Sequence, residues 1–132
     1  MPSSFFVYEN DIALGRQLEA HFHDVVYPGH PQLPEVPRKT FDDVWLPIIG
    51  ERQLVVITRD KRIRYRPVER GAWIRHRVRG FVLTGTVSQS TTDSFRILDR
   101  HRDQLLAVVE NRGAGPWMFG VTSTGLREIP LG

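Results

Sequence analysis

The chain contains no cysteine. Disulfides and thiolate metal ligands therefore play no part in its fold or chemistry. A reducing cytoplasm is the compartment this fits. No stretch approaches the ~18 consecutive apolar residues of a membrane-spanning helix. The opening residues, MPSSFFVYEND, carry neither a basic n-region nor a long apolar core, so no signal peptide is read there. The nucleotide-binding patterns GxGxxG and GxxxxGK[ST] are missing, as are GxSxG and HExxH. Nucleotide-cofactor and serine-hydrolase readings thus lack a motif. The five histidines give no metal-ligand spacing. His21 and His23 lie two apart and would not share a helical face.

What is present is a chain of 132 residues with 40% hydrophobic and 25% charged residues. This fits one globular domain spanning 1–132. A chain of this length buries roughly 70% of its unfolded surface, enough for a core. Net charge is only +3, but nine of the eighteen Lys and Arg residues fall between Arg59 and Arg79. Arginine dominates there, and its planar fork suits phosphate. A solvated basic face is the bland alternative.

Hydrophobic spacing gives an alternating order of elements. Phe5–Tyr8 reads as a strand, 11–22 as a helix capped by Asn10 or Asp11, and 24–27 as a second strand. Residues 28–39 hold four prolines and read as an irregular loop. Thr40 and Asp43 are spaced as a capping box for a helix whose apolar face is Val44, Trp45, Ile48 and Ile49. Pro47 should distort that helix, and Gly50 should help end it. Leu54–Thr58 is a run of the kind buried on both faces of a sheet. A short helix starts at Pro67, and 80–84 forms the fourth strand. One long helix over about 92–111 is capped by Thr91 or Thr92. Trp117–Val121 and Leu126–Ile129 form a hairpin around Ser123-Thr124-Gly125. Strands alternating with helices predict an α/β fold with a mainly parallel central sheet, helices on both faces and a C-terminal hairpin.

Residues at the carboxyl ends of such strands face the ligand crevice. Asp60 stands there, two residues past the buried run, where an acid has no evident capping role. Glu9 and Asp11 follow the first strand, and Asp42 and Asp43 open a helix. Asp42 also suits the positive end of the helix dipole, Asp43 the capping box, and Asp11 the first cap. Glu69 suits the start of the Pro67 helix. Should the first and third strands be neighbours, Glu9, Asp11, Asp42 and Asp60 would share one cleft. Carboxylates so gathered repel unless a cation bridges them, and Mg²⁺ or Mn²⁺ suits all-oxygen ligands. Such an ion activates water against a phosphodiester. Arg59, Lys61, Arg62, Arg64 and Arg66 would hold flanking phosphates. Tyr65 is placed to stack on a base, while Trp73 and Phe81 read as core.

Three segments, FFVYEN at 5–10, TFDDVWLPIIG at 40–50 and VVITRDKRIRYRP at 55–67, make the chain resemble the PIN-like nucleases. Within these it is most similar to the VapC-type PIN-like group. The resemblance implies a three-layer α/β/α fold and a divalent-metal endoribonuclease, often the toxin of a toxin–antitoxin pair. It also implies RNA as substrate, an antitoxin protein as partner and a homodimer. Carried over, two of the family's acids fall on Asp42 and Asp60. Where many PIN-like proteins have Asp at the end of the first strand, this chain has Tyr8, with Glu9 or Asp11 in reach of the same strand end. A non-catalytic module that binds nucleic acid or protein is the other reading of Tyr8.

Overall fold

The period-2 alternation of the short apolar runs divides the parallel strands between two cores. The computed structural model describes residues 5–8, 12–22, 24–85 and 90–131. Strands β1 (Phe5–Tyr8), β2 (Val25–Val26), β3 (Val55–Thr58), β4 (Arg79–Leu83), β5 (Trp117–Thr122) and β6 (Gly125–Glu128) form one sheet. Their order is β2-β1-β3-β4-β5-β6, all parallel except the final antiparallel pair. Phe5, Val7, Val55, Ile57, Phe81 and Trp117 pack on one face, against Leu14, Leu18, Leu98 and Leu105. Phe6, Val56, Val82 and Met118 pack on the other, against Trp45, Leu46, Ile49 and Trp73. Each such side chain contributes about 1.5–3 kcal/mol on full burial.

The first core is closed by α1 (Ala13–Phe22), α4 (Thr91–Arg100) and α5 (Arg102–Arg112), and the second by α2 (Asp42–Arg52) and α3 (Pro67–Arg75). The expected three-layer α/β/α architecture is thus present, with its terminal hairpin. Trp73 and Phe81 are wholly buried, as read.

Several local expectations are corrected. The Thr40 hydroxyl donates to the Pro37 carbonyl at 2.5 Å and not to a helix amide. Phe41 is the residue ahead of α2, and no side chain caps that end. Inside α2, Leu46 is buried while Val44 is exposed, so the core-facing stripe is rotated from the one expected. Gly50 does not end α2. It lies within the helix, where a Cβ would collide with the His76 carbonyl oxygen. The helix closes instead at Gln53, in left-handed conformation, whose side chain donates to the Gly50 and Arg77 carbonyls at 2.6 and 2.8 Å. The long C-terminal helix is two, divided at His101. Its cap is Ser90, whose hydroxyl accepts from the Asp93 amide at 3.1 Å. The second strand is only two residues long. The caps proposed at Asn10 and Asp11, and His23, lie outside the described residues.

Candidate active site

β2 and β3 flank β1 on opposite sides, so the chain reverses its direction of travel across the sheet between β1 and β3. Ligand crevices in open α/β sheets form at such a switch, beyond the carboxyl ends of the strands. Tyr8, the last residue of β1, pairs in register with Thr58, the last of β3. Beyond them opens a cleft of about 1090 Å³. Asp42 and Asp60 line it together, with Asp43, Thr58, Arg59, Lys61, Arg62, Arg66 and Glu69. Two acids eighteen positions apart in the chain meet here because α2 starts, and β3 ends, at the same end of the sheet.

Asp42 is half-buried. Its Oδ1 accepts the Trp45 indole N–H at 2.9 Å. Burial raises its pKa above the ordinary carboxylate value. Hydrogen bonds from Trp45 and Tyr8 oppose that rise, and the charges of Asp60 and Glu69 add to it. Tyr8 stacks on Trp45, with ring centroids 4.7 Å apart. Its hydroxyl lies 3.4 Å from the Thr40 carbonyl. Burial first, and then the Asp42 charge, raises the Tyr8 pKa as well. Tyr8 is therefore part of the Asp42 environment.

Asp60 has a capping role after all. Its Oδ1 accepts the Arg62 amide at 3.2 Å and so starts a 3-10 helix, Lys61–Arg64. The run of basic residues concealed this single turn. Both Asp60 oxygens also take the Arg66 Nη2, each at 2.9 Å. Arg66 reaches Glu69 at 3.4 Å on its other side. Arg66 is thus an ion-pair partner of the acids in this structure, not an open phosphate ligand. Glu69 was not singled out as a site residue. The signal for it was its i,i+3 spacing from Arg66 across the Pro67 helix start.

The basic segment is divided in the same way. Arg59, Lys61 and Arg62 line the cleft, and the Arg62 side chain is 75% exposed. Lys61 donates to the Gly85 carbonyl. Arg64 donates to the Lys61 carbonyl at 2.8 Å and lines a neighbouring depression of about 390 Å³ instead of the cleft. Arg70 bonds the carbonyls of Arg64 and Pro130. Arg79 opens β4, at the opposite end of the sheet, and bonds the carbonyls of Gln53 and Gly113. Four of the nine basic residues, Lys61, Arg64, Arg70 and Arg79, thus donate to backbone carbonyls.

Oxygen-rich carboxylates fit a hard divalent ion in kind. Asp42 and Asp60 supply two donors on one cleft. Among the described residues no group of three His, Asp or Glu side chains is placed to hold a metal. Glu9 and Asp11, the further ligands expected from the sequence, lie outside those residues. No helix among the described residues is long and apolar enough to cross a membrane.

A family model described as a PIN like domain matches residues 6–85, which include Tyr8, Asp42, the Arg59–Arg66 segment and Glu69. Comparison with curated proteins and with solved structures gave no significant match. The matched segment runs from β1 to just past β4 and so contains every cleft residue named above. Such a domain indicates nuclease-type function in general. The chain belongs to the PIN-like domain family.

Proposed function

We propose that the protein is a divalent-metal-dependent endoribonuclease acting in the β1/β3 cleft. The observation that carries this reading is the meeting of Asp42 and Asp60 in one cleft with Arg59, Lys61 and Arg62. Asp42 and Asp60, joined by Glu9 or Asp11, would hold a Mg²⁺ or Mn²⁺ ion, which when bound supplies an activated water and neutralises developing charge. Arg59, Lys61 and Arg62 hold the phosphates on either side of the scissile bond. For Asp60 to act as a ligand, Arg66 must leave it. A backbone phosphate entering the cleft offers that guanidinium a competing anion. Trp45 and Tyr8 fix the orientation of Asp42 through its hydrogen bonds.

RNA as substrate rests on the likeness to the VapC-type group. So do a toxin–antitoxin role, an antitoxin partner, a homodimer and a cytoplasmic location. The test is RNA cleavage by the purified full chain in Mg²⁺, repeated with EDTA and with Asp60→Asn. Both interventions should stop cleavage. Activity that survives both would sink the proposal.

A second reading, a non-catalytic nucleic-acid-binding module, is favoured by two observations. By the resemblance, Tyr8 stands where many PIN-like proteins have Asp, and Arg66 bonds both oxygens of Asp60. Melting with and without millimolar Mg²⁺ or Mn²⁺ separates the two. A ligand that binds only the native state raises Tm. Absence of a shift, together with RNA binding, would favour the module.

A further inference from the structure

The side chains of Lys61, Arg64, Arg70 and Arg79 donate to backbone carbonyls, neutral acceptors that belong to the fold. Arg66 is bonded differently. The acceptors of its guanidinium among the described residues are carboxylate oxygens: Asp60 Oδ1 and Oδ2, both 2.9 Å from Nη2, and Glu69 Oε1, 3.4 Å from Nη1. Its backbone is fixed where the 3-10 turn meets α3. The Arg66 amide donates to the Arg62 carbonyl at 3.1 Å, and the Arg66 carbonyl accepts the Arg70 amide at 2.9 Å. The guanidinium can therefore leave Asp60 by side-chain rotation alone, with no change in the fold. The ion pair is open to water, with the Arg66 side chain 34% and the Asp60 side chain 25% exposed. A pair so exposed is held weakly and exchanges partners. Both residues line the cleft, and two kinds of competitor suit them there. A divalent cation competes for the carboxylate, and a phosphate competes for the guanidinium.

Resting on the nuclease reading of the cleft, we infer that Arg66 is a gate on Asp60: it covers the carboxylate against a divalent ion until a backbone phosphate draws it away. One carboxylate cannot serve a guanidinium and a metal ion at once, because the two cations repel and contend for the same lone pairs. Each exchange favours the other. A metal ion on Asp60 releases Arg66 to grip phosphate, and a phosphate on Arg66 bares Asp60 for the metal. The two ligands are thereby coupled, and the coupling is the same whichever binds first. The free protein holds the ion loosely and the polynucleotide-bound protein holds it tightly, so the cleft is armed only when loaded.

Free Mn²⁺ gives an electron paramagnetic resonance signal that bound Mn²⁺ loses, so metal binding is read apart from catalysis. Arg66→Gln should bind Mn²⁺ roughly 5-fold more tightly than the parent, a modest coupling between two ligands. An Arg66 that merely kept Asp60 in place would give the opposite sign, weaker binding on its loss. The second measurement needs no metal. In EDTA, a labelled single-stranded RNA is titrated at several salt concentrations and followed by fluorescence anisotropy. Asp60→Asn takes away the charge that holds the guanidinium. The slope of log affinity against log salt should then steepen by about 0.7, one further phosphate contact. Adding Arg66→Gln to Asp60→Asn should return the slope to the parent's. A parent that binds Mn²⁺ as tightly as Arg66→Gln does, or a slope that Asp60→Asn leaves unchanged, would overturn the gate and leave the nuclease reading standing. Mn²⁺ binding by neither protein would overturn both.

Discussion

Burial makes the Asp42 carboxyl hold its proton more tightly than an exposed aspartate does, and this has a consequence for stability. A carboxyl whose folded pKa is raised binds more protons in the native state than in the unfolded one. Stability is then lost as pH rises from the ordinary value through the raised one, and the penalty is complete above both. Asp42→Asn removes the buried charge and keeps an oxygen to accept from Trp45. It should raise Tm at pH 7 by a few degrees, and the gain should shrink as pH falls toward 3.8. Melting both proteins across pH checks the sign, and a variant that melts lower than its parent at pH 7 would refute it. Arg66→Gln should act the other way, because it leaves Asp60 without its two-oxygen partner. The pair is partly exposed, so only a small loss is expected in denaturant unfolding. At this scale the sequence disclosed the acids, because residue type and strand-end position sufficed. It did not disclose who holds them. That Arg66 grips Asp60, or that Tyr8 lies against Trp45, depends on where a 3-10 turn aims one side chain and on ring packing 37 residues apart. Neither leaves a periodic trace.

Elements announced by apolar spacing were legible: β1, β3, β4, the Pro67 helix and the terminal hairpin all stand where the pattern puts them. Their ends were not, because several residues of capping type compete at each one. Ser90, Thr91 and Thr92 are adjacent and chemically equivalent as caps, and the fold uses Ser90. Ser90→Ala should therefore cost about 1 kcal/mol in chemical unfolding, while Thr92→Ala should cost little. The reverse result would mean that α4 starts elsewhere. Gly50 looked like a helix terminator because glycine often is one. Its actual work is to let α2 approach the turn at His76. Gly50→Ala should overpack that contact and cost about 1–3 kcal/mol, far more than the helix-propensity gain of alanine would return. A neutral or stabilising result would show that the two segments move apart freely.

Across the whole molecule, the basic residues matter by where the fold leaves them, not by their number in the chain. Arg79 is far from the cleft and Arg70 is bound to carbonyls, so neither should contribute to an RNA salt dependence. Arg62→Ala should reduce the slope of log affinity against log salt by about 0.7, the value for one phosphate contact on a single strand. Titrations at several salt concentrations, beside Arg70→Ala as the contrast, measure this directly. The family match ends at residue 85, yet the sheet does not. β5 pairs along all of β4, the Trp73 indole donates to the Trp117 carbonyl at 3.2 Å, and Trp117, Met118 and Val121 fill both cores. A protein cut short after residue 85 would keep every cleft side chain and lose the wall they lean on. Its newly bared β4 would be a sticky border, ready to pair with any other extended strand. Such a fragment should come out of cells as aggregate, so the piece that defines the kinship is not a piece that stands alone.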